Sequence, residues 1–386
     1  MKLDEIFPPN SFSDNEIDLL VYSRDASGFE GKCVGVVWPT KLEQIHQLVH
    51  YAKRTGQNLT IRGAATSTAG GTIPKDSIVV DMSKMNNILE IGSDYVIVEA
   101  GVVLDDLQKE LAKKKKYFPV VPLEHAVCTV GGMVATNCLG MNTYYGKMQD
   151  WITELQIIDG TGMNMKITGI ASKPFIGSEG CLGIICKIKL KVLQKPMMKS
   201  VSLFKFNTIT TLMEKVTELN KNPNVLEIIY LDDLCSKNVE LGETLHLIVE
   251  YKDEFGSITN KEEIDKIDDI KENLPHLLIK KRYGQIEDPI IPMQQMAKFL
   301  HWIRKKDVPV YAYMKMGLVH ANFRDYSKFP EEMYEIVNRI EGKLIGDFPV
   351  GIKRKKFLTK FQEEQMIIFK NQYDNHKIMN RGVLVD

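Results

Sequence analysis

Four short stretches hold the residues whose types and spacing could do chemistry: RGAATSTAGG (Arg62 to Gly71), TVGGMVATNCLG (Thr129 to Gly140), YYGKMQDWI (Tyr144 to Ile152) and IGSEGCLGII (Ile176 to Ile185). In the first, small residues follow a strand-like run, NLTI. Glycine reaches positive φ without strain and lets backbone approach a ligand closely, and consecutive N–H groups in such a turn form an anion-binding concavity. In the second, Gly131 and Gly132 precede a helix-capable apolar stretch, an arrangement that offers backbone donors to phosphate. Any one stretch alone is a turn more often than a ligand site, and RGAATSTAGG by itself reads equally as a plain turn or a phosphate cradle.

The elements that must position them alternate from about Val34 to Val192. KLEQIHQLVHYAKRTG has helical apolar spacing and stops at Gly56. NLTIR, SIVVD and YVIVEAG read as strands, VVLDDLQKELAK as a helix, ITELQIIDGTGMNMKIT as a hairpin turning at Asp159 to Gly162, and CLGIICKIKLKVL as a long strand. The layout is α+β, and the lack of a GxGxxG after the first strand counts against a Rossmann domain. Past Pro196 the pattern predicts a sheet with helices on one face. From about Glu331 it predicts helix, broken at Gly346 to Gly351.

At 386 residues the chain suggests two domains. Lys plus Arg equals Asp plus Glu at 50 each, so charge gives no argument for a nucleic-acid partner, and none is expected. Lys113 to Lys116 reads as a solvated helix end, with a membrane-surface patch as the alternative. No cleavable signal and no membrane-spanning run is expected. The cysteines lack CxxC spacing, which argues against an iron–sulfur cluster or zinc ribbon and fits a reducing cytoplasm.

Taken in this order and at this spacing, the four stretches resemble the FAD-binding domain of the vanillyl-alcohol oxidase and p-cresol methylhydroxylase family. The D-lactate dehydrogenase and glycolate oxidase branch is the more similar. VYSRDASGFEG, WPTKLEQIHQLVHYA, YVIVEAGVVLDDL and FPVVPLEHAVCTVGG match in place, so the resemblance covers most of residues 20 to 196. It implies that the anion is the FAD pyrophosphate, wrapped by Arg62, Gly63, Ala64, Ala65, Thr66 and Ser67. Pro122, Thr129, Gly131, Gly132, Thr136 and Asn137 would line the isoalloxazine and diphosphate, with Gly140, Tyr145 and Gly146 continuing that wall. Glu179, Gly180 and Ile184 would close over the adenine and ribitol end. Thr66 stands where members that tether FAD from this loop carry histidine, so non-covalent FAD is expected. Cys128 and His125 read as a semi-buried thiol and a loop histidine.

The resemblance extends weakly into a cap. EDPIIPMQQM matches its DxxxP stretch, and YMKMGLVHANF lines up with GHxGDGNxH, keeping Gly317 and His320 but placing Tyr313 where the first histidine is expected. GDFPVG lines up with GEHGIG, with Asp347 and Phe348 at the glutamate and histidine positions. The family's divalent metal takes two histidines and a glutamate, so no metal site is expected here. His320 reads either as a packed strand histidine or as the base for a hydroxyl proton, oriented by Tyr313. Arg282, Arg304, Arg324, Lys315 and Lys353 are open candidates for a carboxylate anchor.

The expected organisation is an FAD-binding domain over 1–196, a ferredoxin-like cap over 197–345 and a C-terminal segment, 346–386, packing back on the first. The expected activity is oxidation of a small D-2-hydroxy acid by hydride transfer to flavin N5. The electrons would pass to a quinone, an iron–sulfur subunit or another carrier. The alternatives are a non-catalytic FAD-binding subunit of a larger complex and a metal-independent flavoenzyme for a more apolar substrate. A homo-oligomer and a peripheral membrane contact are both left open.

Overall fold

The computed structural model describes residues 3–194, 199–252, 255–324 and 329–385. The chain divides into two compact units. The first comprises Met1–Met141, Gly146–Lys195 and Phe348–Asp386, and the second Asn142–Tyr145 and Pro196–Asp347. The expected boundary at 196/197 lies outside the described residues.

The first unit opens with helices α1 (Leu3–Ile6) and α2 (Glu16–Tyr22) and a four-stranded sheet of order β1-β2-β4-β3. Its strands are β1 (Phe12–Ser13), β2 (Lys32–Val37), β3 (Asn58–Arg62) and β4 (Lys75–Asp81). β2 and β3 both run parallel to β4. Parallel strands need a long crossover, and α3 (Leu42–Thr55) supplies it, burying Ile45, Leu48, Val49 and Ala52 at helical spacing and ending at left-handed Gly56.

A five-stranded antiparallel sheet of order β5-β6-β10-β8-β9 follows. It uses β5 (Ile88–Ile91), β6 (Tyr95–Glu99), β8 (Ile152–Asp159), β9 (Asn164–Thr168) and β10 (Gly183–Lys191), while β7 (Lys116–Tyr117) pairs with β11 (Leu193–Gln194). The β8–β9 hairpin turns at Asp159 to Gly162 as its sequence predicts, with Asp159 Oδ1 accepting from the Thr161 and Met163 amides. Helices α4 (Leu104–Ala112) and α5 (Val130–Thr136) pack on this core.

The second unit is a six-stranded antiparallel sheet of order β12-β14-β13-β16-β17-β15. In chain order these are Lys199–Phe206, Val225–Leu231, Leu245–Lys252, Gln285–Glu287, Val310–Tyr313 and Leu318–Phe323 for β12 to β17. Its helices are α6 (Ile209–Leu219), α7 (Asp233–Asn238), α8 (Lys261–Lys280), α9 (Met293–Ile303) and α10 (Phe329–Arg339).

Here the sequence reading needs correction, because helices cover both faces rather than one. Ile228 and Tyr230 of β13 pack with α6 and α9, whereas Ile229 and Leu231 point the other way, against α7 and α8. Alternate side chains face opposite sides of a strand, so a strand buried throughout has both faces covered, as β14 does from Leu245 to Tyr251.

The chain then returns to the first unit, where α11 (Lys360–Tyr373) anchors a short tail. Among the described residues no helix is long and apolar enough to cross a membrane.

Candidate functional site

The carboxyl ends of β3 and β4 open onto a cavity of about 400 Å³ in the first unit. In open sheets of parallel strands, ligands collect at that end. Arg62, Gly63, Ala64 and Thr129 line it, together with Tyr22, Asp81, Ser83, Asn86 and Gly101 to Val103. Arg62 is held in place, its Nη1 donating to the Arg24 carbonyl at 2.7 Å and its guanidinium lying 5.0 Å from the Tyr22 ring centroid. The Tyr22 hydroxyl donates to Asp81 at 2.5 Å. Burial and the Asp81 carboxylate push this phenol well above its ordinary range, so it stays a donor.

Gly63 has a steric reason to be glycine, since a Cβ there would stand 2.3 Å from Thr129 Oγ1. That contact also brings the first and second glycine-rich stretches together. Beyond it the chain turns through Ala65 at φ +54°. Among the described residues, the N–H groups of Gly63, Ala64, Ala65, Thr66, Ser67 and Thr68 donate no hydrogen bond. A run of unengaged donors with small side chains beside an arginine is the donor set that a pyrophosphate requires. FAD therefore fits these residues.

Several expected residues have other work. The N–H groups of Val130 and Gly131 donate to the carbonyls of Val102 and Ala100, and that of Gly132 to Thr129 Oγ1. The α5 N-terminus thus has no such donor left for phosphate, and Gly131 is small because a Cβ would meet Ala100 at 2.6 Å. Thr136 Oγ1 donates to Gly132 O within the helix, and Asn137 pairs with Gln149. Gly140 packs on Val120 and Val121, and Gly146 beside Asp150. Pro122 lies in the loop before α5, where its carbonyl accepts from His125. Tyr145 belongs to the second unit.

Gly180 packs against Ile61, and Ile184 is a fully buried core residue of β10. Glu179 is buried, and its carboxylate accepts from the amides of Val350 (2.8 Å) and Gly351 (3.0 Å). Burial raises its pKa to about 7, against the lowering effect of those amides and of Arg354. Burial likewise pushes the Cys128 thiol up to about 12, so it is no nucleophile at neutral pH. His125 Nδ1 is paired with Asp105 at 2.6 Å.

In the second unit, His320 on β17 is buried and stacked on Tyr311 of β16, with ring centroids 4.6 Å apart at 8°, and Tyr313 meets it edge-on at 5.7 Å. The Tyr313 phenol is held above its ordinary range by burial first and then by the negative charge of Glu227, so it too is a donor. Glu227 is fully buried, accepts from the Thr143 amide and hydroxyl at 2.6 Å each, and is raised to about 7 by burial.

Among the anchor candidates, Arg304 pairs with Asp233, Arg324 donates to the Tyr283 hydroxyl, and Lys315 donates to the Val225 carbonyl. Arg282 is exposed, and Lys353 lies in the first unit. Among the described residues no three His, Cys, Asp or Glu side chains converge as a metal-holding group. The sequence reading passed over Tyr311, Glu227, Tyr22 and Asp81, which only strand register and chain packing bring to these places.

Residues 34–168 match the family described as FAD binding domain. That stretch of the chain carries an FAD-binding domain. A D-lactate dehydrogenase of Archaeoglobus fulgidus is 23% identical over 445 residues, covering 100% of this chain and 98% of that protein. The glycolate oxidase subunit GlcD of Bacillus subtilis is 27% identical over 232 residues, 56% of this chain and 49% of its own length. Against that relative the chain therefore aligns with about half the length. A solved structure of an alkyldihydroxyacetonephosphate synthase superposes with TM-score 0.74 at 15% identity, covering 98% of this chain and 83% of that one, which establishes a shared fold.

Proposed function

We propose that this protein is an FAD-dependent dehydrogenase or oxidase of a small D-2-hydroxy acid, lactate- or glycolate-like, that hands its electrons to a separate acceptor. The unengaged N–H groups of Gly63 to Thr68 beside Arg62 are the observation that carries the reading, and relatives named for D-lactate and glycolate oxidation support it. Bound FAD supplies the hydride acceptor, at N5. Gly63, Ala64, Ala65, Thr66 and Ser67 bind and orient its pyrophosphate, and Thr129 abuts Gly63 from the side. His320 takes the hydroxyl proton of the substrate, with its ring plane set by Tyr311, while Tyr313 donates rather than accepts. The small acid and its acceptor are the partners in this reading. A reducing compartment such as the cytoplasm is supported by the buried thiols Cys33, Cys128, Cys181, Cys186 and Cys235.

The test is anaerobic. The purified chain should carry a yellow flavin chromophore that bleaches on adding D-lactate or glycolate, and His320→Ala should bind the flavin but bleach at least about a hundredfold more slowly, in line with losing a general base. A colourless protein that ignores added FAD would overturn the reading. A flavin inert to every hydroxy acid would leave only the binding function.

A further inference from the structure

Helix α3 carries two imidazoles on the side that the core does not use. Its buried positions are Gln44, Ile45, Leu48, Val49 and Ala52, which leaves His46 partly buried and His50 exposed. Residues four apart on a helix lie one above the other, and here the two Nε2 atoms stand 3.2 Å apart with ring planes at 74°. We propose that His46 and His50 form a bidentate surface site for a divalent transition-metal ion of the zinc and copper class.

The distance supports this. An ion about 2.0–2.1 Å from each nitrogen would see the pair at an angle of about 100°, between cis-octahedral and tetrahedral values. The helix backbone fixes the spacing, and the β8–β9 turn limits His50. A Cβ at Gly162 would lie 3.1 Å from the His50 ring, and Lys53 Nζ donates to the Thr161 carbonyl at 2.5 Å, tying that turn to the helix.

The charges around His50 are Lys53 and Glu43 on its own helix, besides His46 itself. Burial first, then His46 and Lys53, lower its pKa, and Glu43 opposes them. Its imidazole is therefore neutral at neutral pH, with a lone pair to give. No third His, Cys, Asp or Glu among the described residues completes a protein-built group, so water fills the other positions and the ion exchanges readily. Copper should bind most tightly. Magnesium and calcium, which prefer oxygen ligands, should not bind there. The site depends on no part of the flavin reading.

The full-length protein, treated with chelator and dialysed, is titrated with copper and with zinc at pH 7.5 by calorimetry, and the copper form is examined by electron paramagnetic resonance. One equivalent should bind with two imidazole nitrogens in the copper spectrum. His46→Ala and His50→Ala should each lose that equivalent while keeping the wild-type melting temperature within a few degrees. Retention of the equivalent in both variants, or a wild-type spectrum with one nitrogen or none, would overturn the proposal.

Discussion

Gly63 and Glu179 show how single residues serve this fold in opposite ways, one by having no side chain and the other by burying a charged one. At Gly63, any Cβ collides with Thr129 Oγ1 unless the loop moves. Gly63→Val should therefore displace the donor loop and weaken FAD binding by at least about tenfold, roughly 1.4 kcal/mol, read by fluorescence titration of the apoprotein. At Glu179, the folded pKa of about 7 lies above the ordinary value of 4.5. A carboxyl raised in this way contributes stability that is full below its unfolded pKa and is lost as pH rises through the folded one. Replacing it with glutamine removes that dependence. The stability of Glu179→Gln relative to wild type should thus rise between about pH 4.5 and 7, by up to about 1.4 kcal/mol per pH unit, and level off above 7, measured by urea melts. A flat difference would contradict the buried assignment.

At the scale of elements, what matters is which faces are covered and what ties an element down. The runs VLEIIYL and LHLIVEYK are nearly continuous in apolar residues, and such runs belong to strands covered on both faces. The sheet of the second unit therefore carries helices on each side, which a reading based on element order alone did not foresee. Helix α11 is a different case, since its apolar stripe is weak and Phe361 and Ile368 are exposed. It is held by Lys370, buried, which donates to the carbonyls of Cys181 and Met379 and pairs with Asp374 at 2.8 Å. Asp374 in turn accepts from the Ile378 and Met379 amides. Lys370→Met would strand that carboxylate, and a loss of about 3 kcal/mol is expected, with the tail after α11 becoming sensitive to protease.

For the whole molecule, the decisive feature is that the first unit is not continuous in sequence. Residues from Phe348 onward belong to it, although the second unit intervenes. Glu179 receives both of its amide donors from this returning segment, and Asn380 donates to the Gly71 and Glu179 carbonyls. A chain truncated after Asp347 should fail to hold FAD and should melt at least about 10 °C lower, as expected when several buried polar groups lose their partners together. Retention of flavin by that fragment, at full stability, would refute the coupling.

The sequence by itself determined the α+β class, helix α3 with its stop at Gly56, the β8–β9 hairpin and the donor loop after Arg62. Each rests on local periodicity or on residue size, which neighbours in sequence encode directly. Only the tertiary structure decided that the α5 amides are engaged by Ala100 and Val102, that Glu179 clasps a segment 171 residues away, and that Tyr311 lies flat on His320. Those are contacts between distant parts of the chain, and hydrogen-bond satisfaction is settled by which partners arrive, not by which residues could accept them.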